Sequence, residues 1–432
     1  MCLYPRIIIN RKYITNKKNG GIPPIAPDPR VKFVPVGCGK CVECKKQRSN
    51  NWRIRLMEET RSKRHGRFIN MTFSEESLIE LENDIQQQSK INIQKLNEEH
   101  NKKTQWLPIT GYELDNEIAT LAVRRFLERY RKKYKKSIRH WLVTELGQNN
   151  TERLHIHGII WTQDHEEEIN GKLIIRHDTK NEIEQLWKYG NVNPRDKNWE
   201  NNYCNERTVN YIVKYINKTD KKHKYYNPII LTSSGIGNQY IKRPDSNSNK
   251  YKNENTKETY TTRQGVKMGL PMYYRNKLYT DNQKEQLWLN KLNKEERWVI
   301  GIKVDTSKGE EDYNNVLKHA REVNKKLGYG NDKIRYEDKA AERQRRNLQR
   351  WIRISKIKEI IEEQALRSID KGETKEQRTT KIKNKPSELK RLLTEIRHNN
   401  ENENNKNIYS IDNNDFKHIL QSFESDRNKN IL

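Results

Sequence analysis

His155 and His157 lie two residues apart in Leu154-His155-Ile156-His157-Gly158-Ile159-Ile160-Trp161. Successive side chains of a strand alternate between its faces. Both imidazoles therefore point one way, and Leu154 and Ile156 the other. Two metal-binding nitrogens would stand side by side on a rigid, half-buried support. Further along comes Tyr211-Ile212-Val213-Lys214-Tyr215-Ile216-Asn217-Lys218. Tyrosines four apart share a helical face. Lys214 and Lys218, three after each tyrosine, join that face, while Ile212, Val213 and Ile216 take the other flank. On a strand, Lys214 would share a side with Ile212 and Ile216, so the helix accounts for the whole pattern. A phenol titrates near pH 10, and a nearby ammonium favours the phenolate. It can also bind phosphate oxygens or a leaving 3′-oxygen. A metal pair followed by a two-tyrosine helix suits the cutting and rejoining of DNA through a phosphotyrosine.

A metal on a scissile phosphate polarises it and offsets its developing charge. Two neutral imidazoles and one carboxylate suit Mn²⁺ well and also admit Mg²⁺. Glu145 is the expected third ligand, because Trp141–Glu145 reads as the strand that pairs with the histidine strand across a polar turn, Gly147–Arg153. An attacking tyrosine keeps the phosphodiester energy in a 5′-phosphotyrosine bond and needs no ATP. Two tyrosines allow an exchange: one holds the DNA end while the other cuts the next copy, and the free 3′-hydroxyl closes the first strand into a circle.

Cys38, Cys41 and Cys44 form a C-x₂-C-x₂-C run. Three thiolates this close could hold a structural Zn²⁺ with a fourth ligand from Cys2, Cys204 or His65. The same spacing opens an iron–sulfur motif, but the fourth Cys before Pro is missing. Zinc and plain reduced thiols remain the two readings. Five cysteines, three of them clustered, argue against a secreted disulfide framework and for a reducing cytoplasm.

The elements that position these groups follow from composition and periodicity. Of 432 residues, 32% are hydrophobic and 33% charged, so one compact core cannot extend over the whole chain. The net charge of +28, with nine Trp and twenty-one Tyr interleaved, favours a nucleic-acid groove. No stretch approaches a membrane span, and the first residues lack the apolar core of a signal peptide. The expected organisation is a Cys-containing basic segment at 1–62, a catalytic core at 63–232, an accessory segment at 233–330, and a charged helix with a disordered tail at 331–432. Ile7–Ile9 and Val31–Val34 read as short strands. A basic helix follows the cysteines, carrying Arg53 and Arg55. Phe68–Phe73 is a strand, and Ser74 caps a helix that dissolves into an exposed polar insertion near 86–105. Residues 117–134 are helical, with Ile118, Ala122, Phe126 and Tyr130 inward and Arg124 and Arg125 outward. Arg53, Arg55, Arg124 and Arg125 are the candidate nucleic-acid-binding residues. In the tail, Leu348, Trp351, Ile352 and Ile357 make a loose apolar stripe, and Asn399–Asn407 should not fold.

Together these motifs resemble the HUH endonuclease superfamily, and more closely the replication-initiation proteins of small single-stranded-DNA phages, the microviruses, in their gokushovirus-like branch. His155-Ile156-His157 is similar to the family's metal motif, and Tyr211–Lys218 to its two-tyrosine nicking motif. Phe68–Ser74 resembles its first strand motif, with Asn70-Met71 in place of the usual small or Thr-rich residues. The cysteine run and Leu270-Pro271-Met272-Tyr273-Tyr274 resemble the gokushovirus branch. The resemblance covers roughly residues 30–280. It implies an α+β fold, with a central antiparallel sheet of about five strands flanked by helices, the histidines on a central strand and the tyrosine helix beside it. The implied substrate is a viral origin on single-stranded and supercoiled DNA, nicked to begin rolling-circle replication in a bacterial host's cytoplasm. No phosphate-binding loop for a nucleotide is present in the sequence, so a host helicase, polymerase and single-strand-binding protein are implied as partners. A plasmid or transposon HUH nuclease would use the same chemistry. A non-catalytic DNA-binding or packaging protein would explain the charge but not the paired His and Tyr.

Overall fold

The computed structural model describes residues 2–63, 65–147, 152–162, 164–169, 172–194, 196–199, 202–218, 222–331 and 336–370. Residues 1–354 form one compact unit, and 355–432 a second. The expectation for Asn399–Asn407 lies outside the described residues.

The N-terminal segment pairs β1 (Arg6–Ile9) with β2 (Phe33–Val36) and runs into the 21-residue helix α1 (Val42–Ser62). Then follow β3 (Gly66–Thr72), α2 (Glu75–His100), α3 (Gly111–Tyr134) and the hairpin of β4 (Arg139–Leu146) with β5 (Leu154–Trp161). The Gly147 N–H donates to the Arg153 carbonyl at 2.9 Å at the base of its turn. A second hairpin, β6 (Asp164–Ile169) with β7 (Lys172–His177), leads to α4 (Lys180–Trp187), β8 (Val192–Asn193) and α5 (Asp196–Trp199). The tyrosine segment forms α6 (Glu206–Ile212) and α7 (Lys214–Asn217), and β9 (Ile230–Thr232) completes the sheet.

The main sheet has five strands in the order β8-β3-β5-β4-β9, all antiparallel. The histidine strand β5 is therefore the middle strand. Strand alternation sorts its two faces. Ile69, Met71, Leu142, Ile156 and Ile160 pack under α2, α3 and α4. Trp141, Val143, Ile159 and Trp161 pack under α1, α6 and α7. Gly158 is required where β5 crosses β4: a Cβ there would lie 2.4 Å from both Leu142 Cδ2 and the Trp141 carbonyl oxygen.

Beyond the sheet, residues from Tyr240 to Leu287 build a third core on Ile54 of α1, using β10 (Thr259–Thr261), β11 (Lys267–Gly269), α8 (Met272–Leu278) and α9 (Asp281–Asn293). The hairpin of β12 (Glu296–Val299) with β13 (Ile302–Asp305) and helix α10 (Glu311–Lys326) build a fourth around Leu3 and Cys41. The final helix is α11 (Tyr336–Asp370).

Two expectations change. Residues 86–100 continue α2 rather than interrupting it: Ser74 caps the helix by accepting from the Ser77 N–H at 3.2 Å, and the polar half lies largely in solvent. Gln, Lys and Glu are good helix formers, so loss of the apolar stripe ends burial without ending the helix. Near its start, α11 is fixed by buried charge rather than by its apolar stripe. Arg346 donates to both oxygens of Asp115 at 2.8 and 2.9 Å, with both side chains enclosed, while Trp351 stays 55% exposed.

Candidate active site

The face of the sheet under α6 and α7 carries the predicted residues. Glu145 on β4 stands directly opposite His155 on β5, and on the other side of β5 Asn70 pairs with His157 and Thr72 with His155. Glu145 Oε2 lies 2.8 Å from His157 Nε2. Its other oxygen, Oε1, receives the Lys218 ammonium. Burial would raise the Glu145 carboxyl, but the hydrogen bonds from His157 and Lys218 outweigh it and hold it below the usual range. Burial, with the neighbouring His157, lowers His155 and keeps that imidazole neutral.

The tyrosines sit on top of this layer. Tyr215 stacks on His157, and its hydroxyl donates to the Tyr211 hydroxyl at 2.9 Å. Tyr211 meets Phe68 edge-on at 5.8 Å and is 48% exposed. Val209, Ile212, Val213 and Ile216 are buried beneath, as the spacing predicts. A turn at Val213 divides the predicted helix into α6 and α7. Asn205 caps α6 by accepting from the Arg207 and Thr208 N–H groups. Lys214 lies over the Tyr211 ring at 5.7 Å. Burial, then the hydrogen bond with Tyr211, pushes the Tyr215 phenol up from its ordinary value.

The donor set fits a divalent cation in part. An N–O separation of 2.8 Å is the edge expected for two ligands about 2.0–2.1 Å from one ion, and the buried His157 Nδ1 has no hydrogen-bond partner. His155 stands further off. Among the described residues, only Cys2, Cys38, Cys41 and Cys44 bring three or more ligand atoms within 4.8 Å of one another. His155 must swing inward to join His157 and Glu145.

A cleft of about 920 Å³ opens from this face, with Glu145, Tyr215 and Lys218 on one side and Lys40, Lys45 and Arg48 on the other. A larger hollow, about 1080 Å³, lies at the opposite end of β4 beside Arg139 and His140, away from the tyrosines.

The predicted arginines are not gathered here. Arg55 is held between the rings of Trp52 and Tyr273 at 4.1 and 4.0 Å, and donates to the Ile236 carbonyl. Arg53 Nε is buried without a hydrogen-bond partner. Arg124 and Arg125 lie on α3, which covers the other face of the sheet; Arg125 pairs with Asp84 at 2.7 Å and Arg124 faces Glu128 at 3.8 Å. Sequence reasoning missed Asn70, whose buried Oδ1 has no hydrogen-bond partner and which pairs with His157 in the sheet. Its place in an apolar strand, at the same parity as Phe68, was the available signal. Lys40, Lys45 and Arg48 were also missed, since their role depends on how α1 is placed against β4.

Residues 67–220 match a family model described as that of the ORF2-type replication-associated proteins, a family of rolling-circle replication initiators. The matched span runs from β3 to just beyond α7 and contains every predicted His, Glu, Tyr and Lys of the site. The match supports a rolling-circle replication initiation protein and, in general terms, a nuclease or nickase activity. No curated protein and no solved structure matches the chain.

Proposed function

We propose that this replication-associated protein nicks one strand of a viral origin, holds the 5′ end on a tyrosine, and rejoins unit-length circles. The observation that carries this reading is the layered contact of Tyr211, Tyr215, His157 and Glu145. Two hydroxyls 2.9 Å apart lie over an imidazole whose Nε2 is 2.8 Å from a carboxylate. A tyrosine Oη attacks the scissile phosphorus, the Oη–P bond forms, and the P–O3′ bond breaks to leave a 3′-hydroxyl. When bound by His155, His157 and Glu145, Mn²⁺ or Mg²⁺ supplies the positive charge that offsets the charge developing on the phosphate. Glu145 and His157 hold each other in orientation. Lys218 leaves Glu145 to meet the phosphate or the 3′-oxygen as the strand enters the cleft. Because the two hydroxyls touch, a second phosphodiester can be attacked beside the first phosphotyrosine, as strand exchange requires.

The substrate is single-stranded DNA, or origin DNA opened by supercoiling, in the cytoplasm of a bacterial host. Helicase, polymerase and single-strand-binding protein come from the host. The test incubates the protein with origin-containing single-stranded DNA and Mn²⁺, with and without EDTA, on a denaturing gel. A metal-dependent covalent adduct that maps to Tyr211 or Tyr215 supports the reading; tight binding without an adduct on any origin DNA overturns it.

A further inference from the structure

Four thiols meet at the head of α1. Cys2 comes from the first residues, Cys38 from the turn after β2, Cys41 is the N-cap of α1, and Cys44 lies in its first turn. Their sulfurs all lie within 4.8 Å of one another, with 3.8 Å between Cys2 and Cys41 and 4.0 Å between Cys38 and Cys44. Sulfurs about 2.3 Å from a central Zn²⁺ at tetrahedral angles are about 3.8 Å apart. A disulfide needs about 2.05 Å, and all of these cysteines are free. An iron–sulfur cluster places its thiolates on different irons and needs a wider cage. We propose that Cys2, Cys38, Cys41 and Cys44 bind one Zn²⁺ in a closed tetrathiolate site, and that this site fixes the wall of the cleft facing Tyr215 and Lys218.

The surroundings are built for charged sulfur. The Cys2 sulfur accepts from the N–H groups of Tyr4 at 3.3 Å and Cys38 at 3.2 Å, and the Cys38 sulfur from the N–H of Cys41 at 3.3 Å. Gly37 lets the chain pass close, since a Cβ there would lie 3.0 Å from the Cys44 sulfur. Binding releases the four thiol protons and leaves the site with a double negative charge. Lys40, Lys45 and Arg48, all close in sequence to these ligands, oppose that charge.

The node also ties distant parts of the chain together. Leu3 and Cys41 share a small core with Val299, Leu317 and Ala320. The Val42 N–H donates to the buried Asn324 Oδ1 at 2.9 Å, and Arg321 Nε donates to the Leu3 carbonyl at 3.0 Å. So small an apolar cluster gains much from a metal. With the head of α1 fixed, Lys40, Lys45 and Arg48 are held across the cleft from Tyr215. The zinc site stands on its own geometry; its service to a DNA strand rests on the nicking function proposed above.

The test uses the full-length protein purified without chelator. Elemental analysis should find one zinc per chain. Titration with an organomercurial should release it as four thiols react. Cys41→Ser should lose the metal, and Cys204→Ala, whose thiol lies in a different core, should keep it. Should Cys41→Ser fail to fold, the mercurial titration of the unmodified protein decides. Removing zinc should weaken binding to a single-stranded oligonucleotide and lower its salt dependence by up to about 2 in log–log slope, the loss of three phosphate contacts. Returning Zn²⁺ should restore both. A chain that retains no zinc after reconstitution, holds iron instead, or forms a disulfide between these cysteines overturns the site. Unchanged DNA binding by folded, zinc-free protein overturns the cleft-wall role. Stoichiometric zinc with no covalent adduct leaves the site standing and removes the nicking reading.

Discussion

Tyr215 lies flat on His157, with ring centroids 4.2 Å apart and planes 7° from parallel. A nucleophile and a metal ligand thus share one contact, and neither can shift without the other. Tyr215→Phe keeps the stack and removes only the hydroxyl. We expect it, and Tyr211→Phe, each to lower adduct formation by about 100-fold or less, since one hydroxyl remains. The double variant should form no adduct while binding DNA normally. A fully active double variant, read on the same denaturing gel, would remove the tyrosine mechanism.

Arg346 and Asp115 are buried against each other. Removing one partner leaves an uncompensated charge, so Arg346→Met should cost about 3–5 kcal/mol. Adding Asp115→Leu should recover most of that loss. Urea unfolding of the two variants tests the pair; equal stabilities would mean the charges are not coupled.

Acid should loosen the contact between α11 and the sheet. Enclosure would raise the Glu152 carboxyl, but His223 and Arg345 outweigh it and bring it down to about 2, from an ordinary value of 4.5. A depressed carboxylate contributes its full stability above the unfolded value. That contribution is lost as pH falls from about 4.5 toward 2, by up to about 1.4 kcal/mol per pH unit. Asp115 shifts in the same direction: burial raises it and Arg346 more than reverses the effect. Unfolding curves between pH 7 and about 3 should therefore fall less steeply for Glu152→Gln than for the unmodified protein.

Gly158 has no room for a side chain. Gly158→Ala forces β5 away from β4 and should cost about 1–3 kcal/mol. It should also disturb the adjacent His157, so adduct formation should fall at temperatures where the protein remains folded. A variant with unchanged melting would show that the strands separate at no cost.

The parts that were legible in the sequence are those with a clean period. The i, i+2 histidines and i, i+4 tyrosines each identify an element and its inward flank, and the five-stranded sheet with β5 in the middle follows the expectation from the family resemblance. Partnership over long separations was not legible. Glu58, Glu59, Arg346 and Arg350 read as solvated charge, yet each is buried. Arg55 reads as a phosphate contact, yet its guanidinium fills a slot between two rings. Spacing left Cys2, Cys204 and His65 as equal candidates to join the cysteine run; only the fold brings Cys2 to it and places Cys204 in the core under α6.

The turn at Val213 gives the two halves of the site different mechanical characters. On the middle strand of the sheet, β5 has ladder partners on both edges and is among the last segments able to open. The phenols ride instead on pieces of seven and four residues, too short to be held by their own backbone bonds. Amide exchange should therefore be slow along β5 and fast across α6 and α7. If the phosphodiester passes between tyrosines, the adjustment falls to the segment around Val213, with the imidazoles as its stationary reference.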